Sequence, residues 1–387
     1  MVVTAAVAVL FGVLGAIGVG RRDSSLGAAD AASQQLLAVQ DVQVRLVHAD
    51  SIARENYLRG GIEDAAKRAT YEAELAAVSE GLVAVGNQVL PDEAAQLAVV
   101  SSQLSRYSGL VEQARANNRQ GFPVGAAYLR TANALSATMV DGLRDVQASL
   151  RHQVNDSLDR ADKAGAWMHL TGWPLLILLI VGGAWVAFRF RRLVNVPLAI
   201  AAGATFLLLV VGGSLQGGSM SDAEAATGSS LQAADLAAQA RSAAFEARAQ
   251  ESSTLIARGS GDDSAWQTST ATVAAALDRL CSVADECSLL DVYGAYSGAH
   301  DTVRATDDGG DWDTARDLSL DGDSATAFAA FDEQSGSTAS ALTATAAARM
   351  STAADGLAGL RVVVFLGGLL VAALVLAGYG QRAREYR

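Results

Sequence analysis

Two apolar stretches, HLTGWPLLILLIVGGAWVAF at residues 169–188 and PLAIAAGATFLLLVVGG at residues 197–213, decide the fold of this chain. Neither contains Asp, Glu, Lys or Arg, and each approaches the ~20 residues with which a helix crosses about 30 Å of hydrocarbon. The connector, 189–196, carries Arg189, Arg191 and Arg192. By the positive-inside rule it lies in the cytoplasm, which throws the flanking chain to the opposite side.

Two more apolar segments, 2–20 and 362–380, bring the spans to four, and 51% of the 387 residues are apolar, as expected of a membrane protein. The tail 381–387, with Arg382, Arg384 and Arg387, then falls on the same side as the connector. Two basic clusters therefore give one topology, with 23–165 and 215–360 outside. Arg21 and Arg22 oppose it, because they follow the first span on the outer side. A cleaved signal peptide is the alternative for that segment, although its apolar run is longer than usual and no basic residue precedes it.

The net charge of −12 is unevenly spread: 215–360 holds 7 Arg, no Lys and 22 acidic residues, whereas 21–165 holds 15 basic and 18 acidic residues. Both balances argue against a polyanionic partner such as nucleic acid. Cys281 and Cys287 bracket five residues with no His nearby. In an exported segment the pair reads better as a local disulfide than as a zinc site.

From residue 28 to Arg59, Leu36, Leu37, Val39, Val42, Leu46, Ile52 and Leu58 recur at helical spacing. Gly60-Gly61 ends that helix. Further helices are expected over 62–85 and 93–118, with a turn around Pro91 between them. After Gly121-Phe122-Pro123 one long helix runs from Val124 into the second span. The two long helices extend towards the bilayer, which puts the Gly60 and Gly121 turns at the end far from it.

The second segment repeats this plan. Tyr107-Ser-Gly-Leu-Val-Glu-Gln-Ala-Arg115 is matched by Tyr296-Ser-Gly-Ala-His-Asp-Thr-Val-Arg304, and Leu58-Arg59-Gly60 by Ala257-Arg258-Gly259. The Cys281–Cys287 loop falls where the first copy has its Pro91 turn. The fold class that follows is all-α: an integral membrane protein with four transmembrane helices and two tandem extracytoplasmic four-helix bundles, a covalently fused dimer.

No catalytic constellation is visible. His48, His152, His169 and His300 stand apart in sequence, and there is no His-Glu-x-x-His, phosphate loop or Gly-x-Ser-x-Gly elbow. Asp307-Asp-Gly-Gly-Asp-Trp-Asp313 lacks the ligand spacing of an EF-hand and reads as a solvated acidic loop. No cofactor is expected. The spans carry no ionisable residue except His169 and Tyr379, both at an edge, which disfavours a transporter.

The cytoplasmic segments are too short for a kinase or a HAMP-like linker. A signal passing inward would need a separate protein to read Arg189, Arg191, Arg192, Arg382, Arg384 and Arg387; the alternative is that these residues only fix topology. At the outer tip, Arg59, Arg115, Asn117, Asn118, Arg119 and Gln120, with Tyr128 and Arg130 further down the last helix, form a polar cluster. Guanidinium groups suit an acidic ligand or an acidic protein face, and the bland alternative pairs them with Glu55, Glu63 and Glu112. Tyr107 and Tyr296 read as packing residues of the repeat, and Trp266 and Trp312 as candidate protein contacts.

The stretch Ala114-Arg-Ala-Asn-Asn-Arg-Gln-Gly-Phe-Pro-Val-Gly-Ala-Ala-Tyr-Leu-Arg130, with Tyr57-Leu-Arg-Gly-Gly61 and the duplicated four-span layout, resembles the actinobacterial GlnX family of membrane proteins. That family is encoded beside an exported glutamate/aspartate-binding lipoprotein and the soluble Ser/Thr protein kinase G. The resemblance implies a non-enzymatic relay of extracytoplasmic amino-acid availability, with the lipoprotein docked at the tip and the kinase inside. Direct ligand binding by the bundles, in the manner of chemoreceptor four-helix domains, and a structural envelope scaffold are the other readings.

Overall fold

A computed structural model describes residues 2–61, 63–190, 195–258, 261–355 and 357–384. Every regular element among them is helical: α1 (Val2–Arg59), α2 (Ala65–Gly86), α3 (Pro91–Arg119), α4 (Val124–Phe190), α5 (Val196–Ala225), a π-helical turn (Ala226–Leu231), α6 (Gln232–Ile256), α7 (Ser264–Ala284), α8 (Ser288–Asp308), α9 (Trp312–Leu320), α10 (Asp323–Asp355) and α11 (Ala358–Arg384). The breaks have local causes. Gly60, Gly61 and Gly121 take φ of +67°, +61° and +71°, a left-handed backbone that ends a helix with least strain at glycine. Asp64 caps α2 by accepting from the Ala66 amide, and Pro91 opens α3, where its missing N–H costs nothing. Cys281 and Cys287 are joined by a disulfide across the α7–α8 turn.

The chain forms two compact units. One comprises Met1–Ala31, Gln153–Thr227 and Ala348–Arg387. Many of its large apolar side chains are exposed, among them Leu170, Ile177, Ile180, Phe206, Leu207, Val362 and Leu370, the reverse of a water-facing surface. Four helices of the chain are long and apolar enough to cross a membrane, among the described residues. Within this unit α1 and α11 touch through glycines: a Cβ on Gly12 would lie 3.0 Å from the Gly368 Cα. Small residues at such crossings let transmembrane backbones approach closely.

The other unit comprises Ala32–His152 and Gly228–Ala347, and so contains both copies of the repeat. The segments expected as separate bundles share a single core, in which Leu46, Val78, Tyr107 and Met139 of the first half join Leu277, Tyr296 and Phe331 of the second. α1 and α6 meet along the seam. Gln43 donates to Ser242 at 3.0 Å and Arg54 to Ser253 at 3.1 Å, and both pairs are 199 positions apart. That is also the spacing of the Leu58 and Ala257 anchors, so residues at equivalent positions touch each other, as a two-fold relation between like subunits requires.

The second half departs from the first in one respect. Where α4 runs unbroken from Val124, the second half makes the short α9, capped by Asp311 on the Thr314 amide, then breaks at Asp321-Gly322 before α10. The α9 residues Ala315 and Leu320 pack with Val303, Leu255 and, from the first half, Leu58.

Candidate functional site

The sequence-derived cluster lies around the Gly60 and Gly121 turns, and its members divide into spoken-for and exposed groups. Asn118 donates to the Tyr57 carbonyl at 2.7 Å, satisfying an acceptor at the end of α1 that has no helical partner. Asn117 turns back onto the Gln113 carbonyl at 2.8 Å. Arg115 is paired with Glu63 and with Glu112 at 2.8 Å, the local pairing weighed above as the bland alternative. Arg59 reaches into the other half instead, gripping the Asp321 carboxylate with both Nη atoms at 2.8 and 2.9 Å. That hydrogen bond lowers the Asp321 pKa.

Arg119, Gln120, Phe122 and Arg130 are exposed, and Tyr128 is half-buried. The cleft lined by Asn56, Gly61, Glu63, Arg115, Asn118 and Arg119 measures about 30 Å³. That is room for a water molecule and too little for an amino acid. This end of the unit therefore offers a surface, not a small-molecule pocket. Arg191, Arg192 and Arg387 lie outside the described residues, as do the side chains of Arg189, Arg382 and Arg384.

Sequence reasoning missed a buried ionic chain that crosses the seam. Lys67 contacts Glu55 at 3.0 Å, and the Arg248 Nε donates to Glu55 at 2.7 Å. Arg248 also donates to Glu251 at 2.5 Å, to the Ser324 hydroxyl at 3.1 Å and to the Ser319 carbonyl at 2.6 Å. Glu251 in turn faces His300 Nδ1 at 2.8 Å, and His300 Nε2 faces Asp263 at 3.2 Å. Burial alone would raise the Glu55 pKa, but the charges of Arg248 and Lys67 outweigh it and hold this carboxyl at about 2. Glu251 is lowered by the same balance, with Arg248 the main counter-charge.

This chain corrects two sequence expectations. His300 is not isolated: the fold gathers two carboxylates onto it and stacks it on Trp266 at 3.6 Å. Trp266 is not a surface contact either, because α7 turns Trp266, Ser269, Val273, Ala276, Leu277 and Leu280 inward as one helical stripe. Trp312 is half-buried, its indole N–H donating to the Leu255 carbonyl at 2.7 Å. Tyr107 and Tyr296 are fully buried, as packing residues should be. Glu55, between Ile52 and Leu58 on the core face of α1, was the sequence signal for the network, since an acid there must meet a buried base. The base itself comes from a helix nearly two hundred residues away.

Chemically the network is closed: its carboxylates face guanidinium, imidazole, ammonium or hydroxyl groups, and it holds α1 and α6 in one register. Asp307 and Asp308 of the acidic loop are occupied by Arg304 at 2.8 and 2.7 Å.

Two larger cavities flank the α1–α6 seam. One, of about 790 Å³, lies among α1, α2, α6 and α10, and the other, of about 500 Å³, among α1, α4, α6 and α7.

Residues 25–161 match the family model described as an actinobacterial sensor domain. The matched stretch covers the first half of the repeat and all eight residues of the sequence-derived cluster. No curated protein and no solved structure matches the chain. The match supports a sensing role for the stretch it covers, and the four long apolar helices support a membrane setting.

Proposed function

We propose that the chain is a non-enzymatic transmembrane relay: binding on the extracytoplasmic unit shifts its helices, and that shift is delivered through the spans to a partner inside the cell. One observation carries this reading. The sensor-domain helices α1 and α4 are each a single uninterrupted helix, 58 and 67 residues long, that also contains an apolar span. A rigid helix transmits displacement along its axis, and a coupling of ~1–3 kcal/mol between the two sides is enough for a switch.

The extracytoplasmic partner in this reading is an exported glutamate/aspartate-binding lipoprotein seated on Arg119, Gln120, Tyr128 and Arg130, whose exposed guanidinium groups suit an acidic protein face. The cytoplasmic partner is a Ser/Thr protein kinase that reads Arg189, Arg191, Arg192, Arg382, Arg384 and Arg387. The test is co-purification of the full chain with each partner. Arg119→Ala with Arg130→Ala should abolish capture of the lipoprotein, and Ala at the connector and tail arginines should abolish capture of the kinase. If neither partner associates with the parent chain, the relay is wrong and an envelope scaffold becomes the better reading.

A further inference from the structure

The two seam cavities are equivalent in plan, and each holds two arginines and two carboxylates, but their walls differ. The repeat pairs α1 with α6, α2 with α7 and α4 with α10, so exchanging the halves exchanges the cavities. In the larger one, α10 presents Gly336, Ala339, Ser340, Thr343, Ala344 and Ala347. Its charged groups are turned on one another: Arg45 on Asp41 and Glu74 at 2.6 and 3.2 Å, and Arg241 on Asp332 at 2.9 Å. In the smaller one, α4 presents Arg144, Gln147 and Arg151. The α4 wall thus carries an amide and two guanidinium groups, whereas the α10 wall carries small residues.

The smaller cavity is also ordered by sign. Arg144 and Arg151 stand on the α4 wall and face Glu246 and Asp235 on the α6 wall. Its floor is a buried polar chain, in which Gln147 donates to Gln43 at 2.8 Å and Gln43 donates to Ser242 at 3.0 Å. These three side chains are 6%, 8% and 3% exposed. Polar groups buried at a seam cost stability that apolar ones would not. Each of the two amides uses one of its two N–H groups in this chain. Thr268, Ser269 and Thr272 of α7 complete the lining. Arg144 is half exposed and pairs with Asp141 at 3.0 Å, while its Glu246 contact is longer, 3.4 Å, so a guest can open the latter at little cost. Burial raises the Glu246 pKa, a strain that an ammonium group beside it would relieve.

We infer that this cavity is a ligand site for a neutral zwitterionic amino acid with a polar side chain, its carboxylate on Arg144 and Arg151 and its ammonium on Glu246 and Asp235. Two positive and two negative groups leave no surplus to hold a dianion, and the amide and hydroxyl floor suits a side chain such as that of glutamine, asparagine or serine. The volume of about 500 Å³ is within the range of small-molecule sites. Because α4 and α6 belong to different halves, an occupant ties the halves together. The inference rests on the sensing role proposed above but needs no lipoprotein.

The test is calorimetry on the full chain in lipid nanodiscs, without any partner, using L-glutamine, L-asparagine, L-serine, L-glutamate and succinate. Saturable heat is expected from at least one neutral amino acid, with succinate silent. Arg144→Gln and Glu246→Gln should each weaken binding about tenfold or more while leaving the unfolding midpoint in place. Ser340→Trp, in the other cavity, should leave binding unchanged. The assignment is overturned by no heat from any neutral amino acid at about 10 mM, by binding that survives both substitutions, or by succinate binding as well as the amino acids do. Lipoprotein capture that persists while no neutral amino acid gives heat overturns the cavity assignment and leaves the relay standing; heat from a neutral amino acid without capture does the reverse.

Discussion

The two halves of the repeat-bearing unit follow one backbone plan and place their charges differently. At the 199-residue spacing shown by the Gln43–Ser242 and Arg54–Ser253 pairs, Glu55 of the first half corresponds to Thr254, while Arg248 and Glu251 of the second correspond to Ala49 and Ile52. Ala49 and Ile52 are buried apolar residues. A dimer of identical chains would have to make every ionic contact of its interface twice. A fused pair is released from that constraint, so each half can supply one sign and the seam carries the contact once. The Arg248–Glu55 contact across the seam is made once, and in the sign-ordered cavity the arginines come from one half and the carboxylates from the other.

Removing the central base should break the comparison most severely. Arg248→Met removes the counter-charge that Glu55 and Glu251 share and should destabilise the unit by about 3–5 kcal/mol, whereas Thr254→Ala, at the position equivalent to Glu55, should cost less than about 1 kcal/mol. Denaturant unfolding in detergent, followed by the fluorescence of buried Trp266, measures both.

Acid should act through the same group. Glu55 has a folded-state pKa of about 2 against an ordinary 4.5, so it contributes stability that is present above about pH 4.5 and is lost as pH falls towards 2. The full contribution is about 3 kcal/mol, and Glu55→Gln should remove this slope from a plot of unfolding free energy against pH.

The repeat tyrosines separate next. Tyr107 donates to the Asp50 carboxylate at 3.0 Å, so Tyr107→Phe should cost about 1.5–3 kcal/mol. Tyr296 only accepts from the Trp266 indole at 3.4 Å, and Tyr296→Phe should cost under about 1 kcal/mol. If the two losses were equal, the hydrogen bond to Asp50 would not be what distinguishes them.

The smallest effect belongs to the Arg59–Asp321 pair, whose side chains are 30% and 65% exposed. A double-mutant cycle should give about 0.2–1 kcal/mol, falling with added salt. A larger coupling would mean that this surface pair helps to set how the halves meet.

Much of this architecture is legible in the sequence, and the reasons are local. Uncharged runs such as 169–188, the left-handed glycines at Gly60 and Gly121, the 3.6-residue periodicity of α1 and the cysteines six positions apart each depend on neighbours along the chain. The Tyr107 and Tyr296 motifs likewise announced both the repeat and their own burial. The chemistry of the residues around Arg115 was not legible, because whether Arg115 meets Glu63 and Arg59 meets Asp321 depends on turn geometry and on the other half.

The sequence by itself determined that the chain is helical, duplicated and built with four apolar helices of spanning length, since propensity, periodicity and hydropathy are carried residue by residue. Only the tertiary structure decided that the two copies share a core, that His300 and Trp266 stack beneath two carboxylates, and that Arg144 faces Glu246. Those contacts join helices a hundred or more residues apart, or side chains whose direction is set by packing, and no pattern along a single helix encodes its partner across a seam.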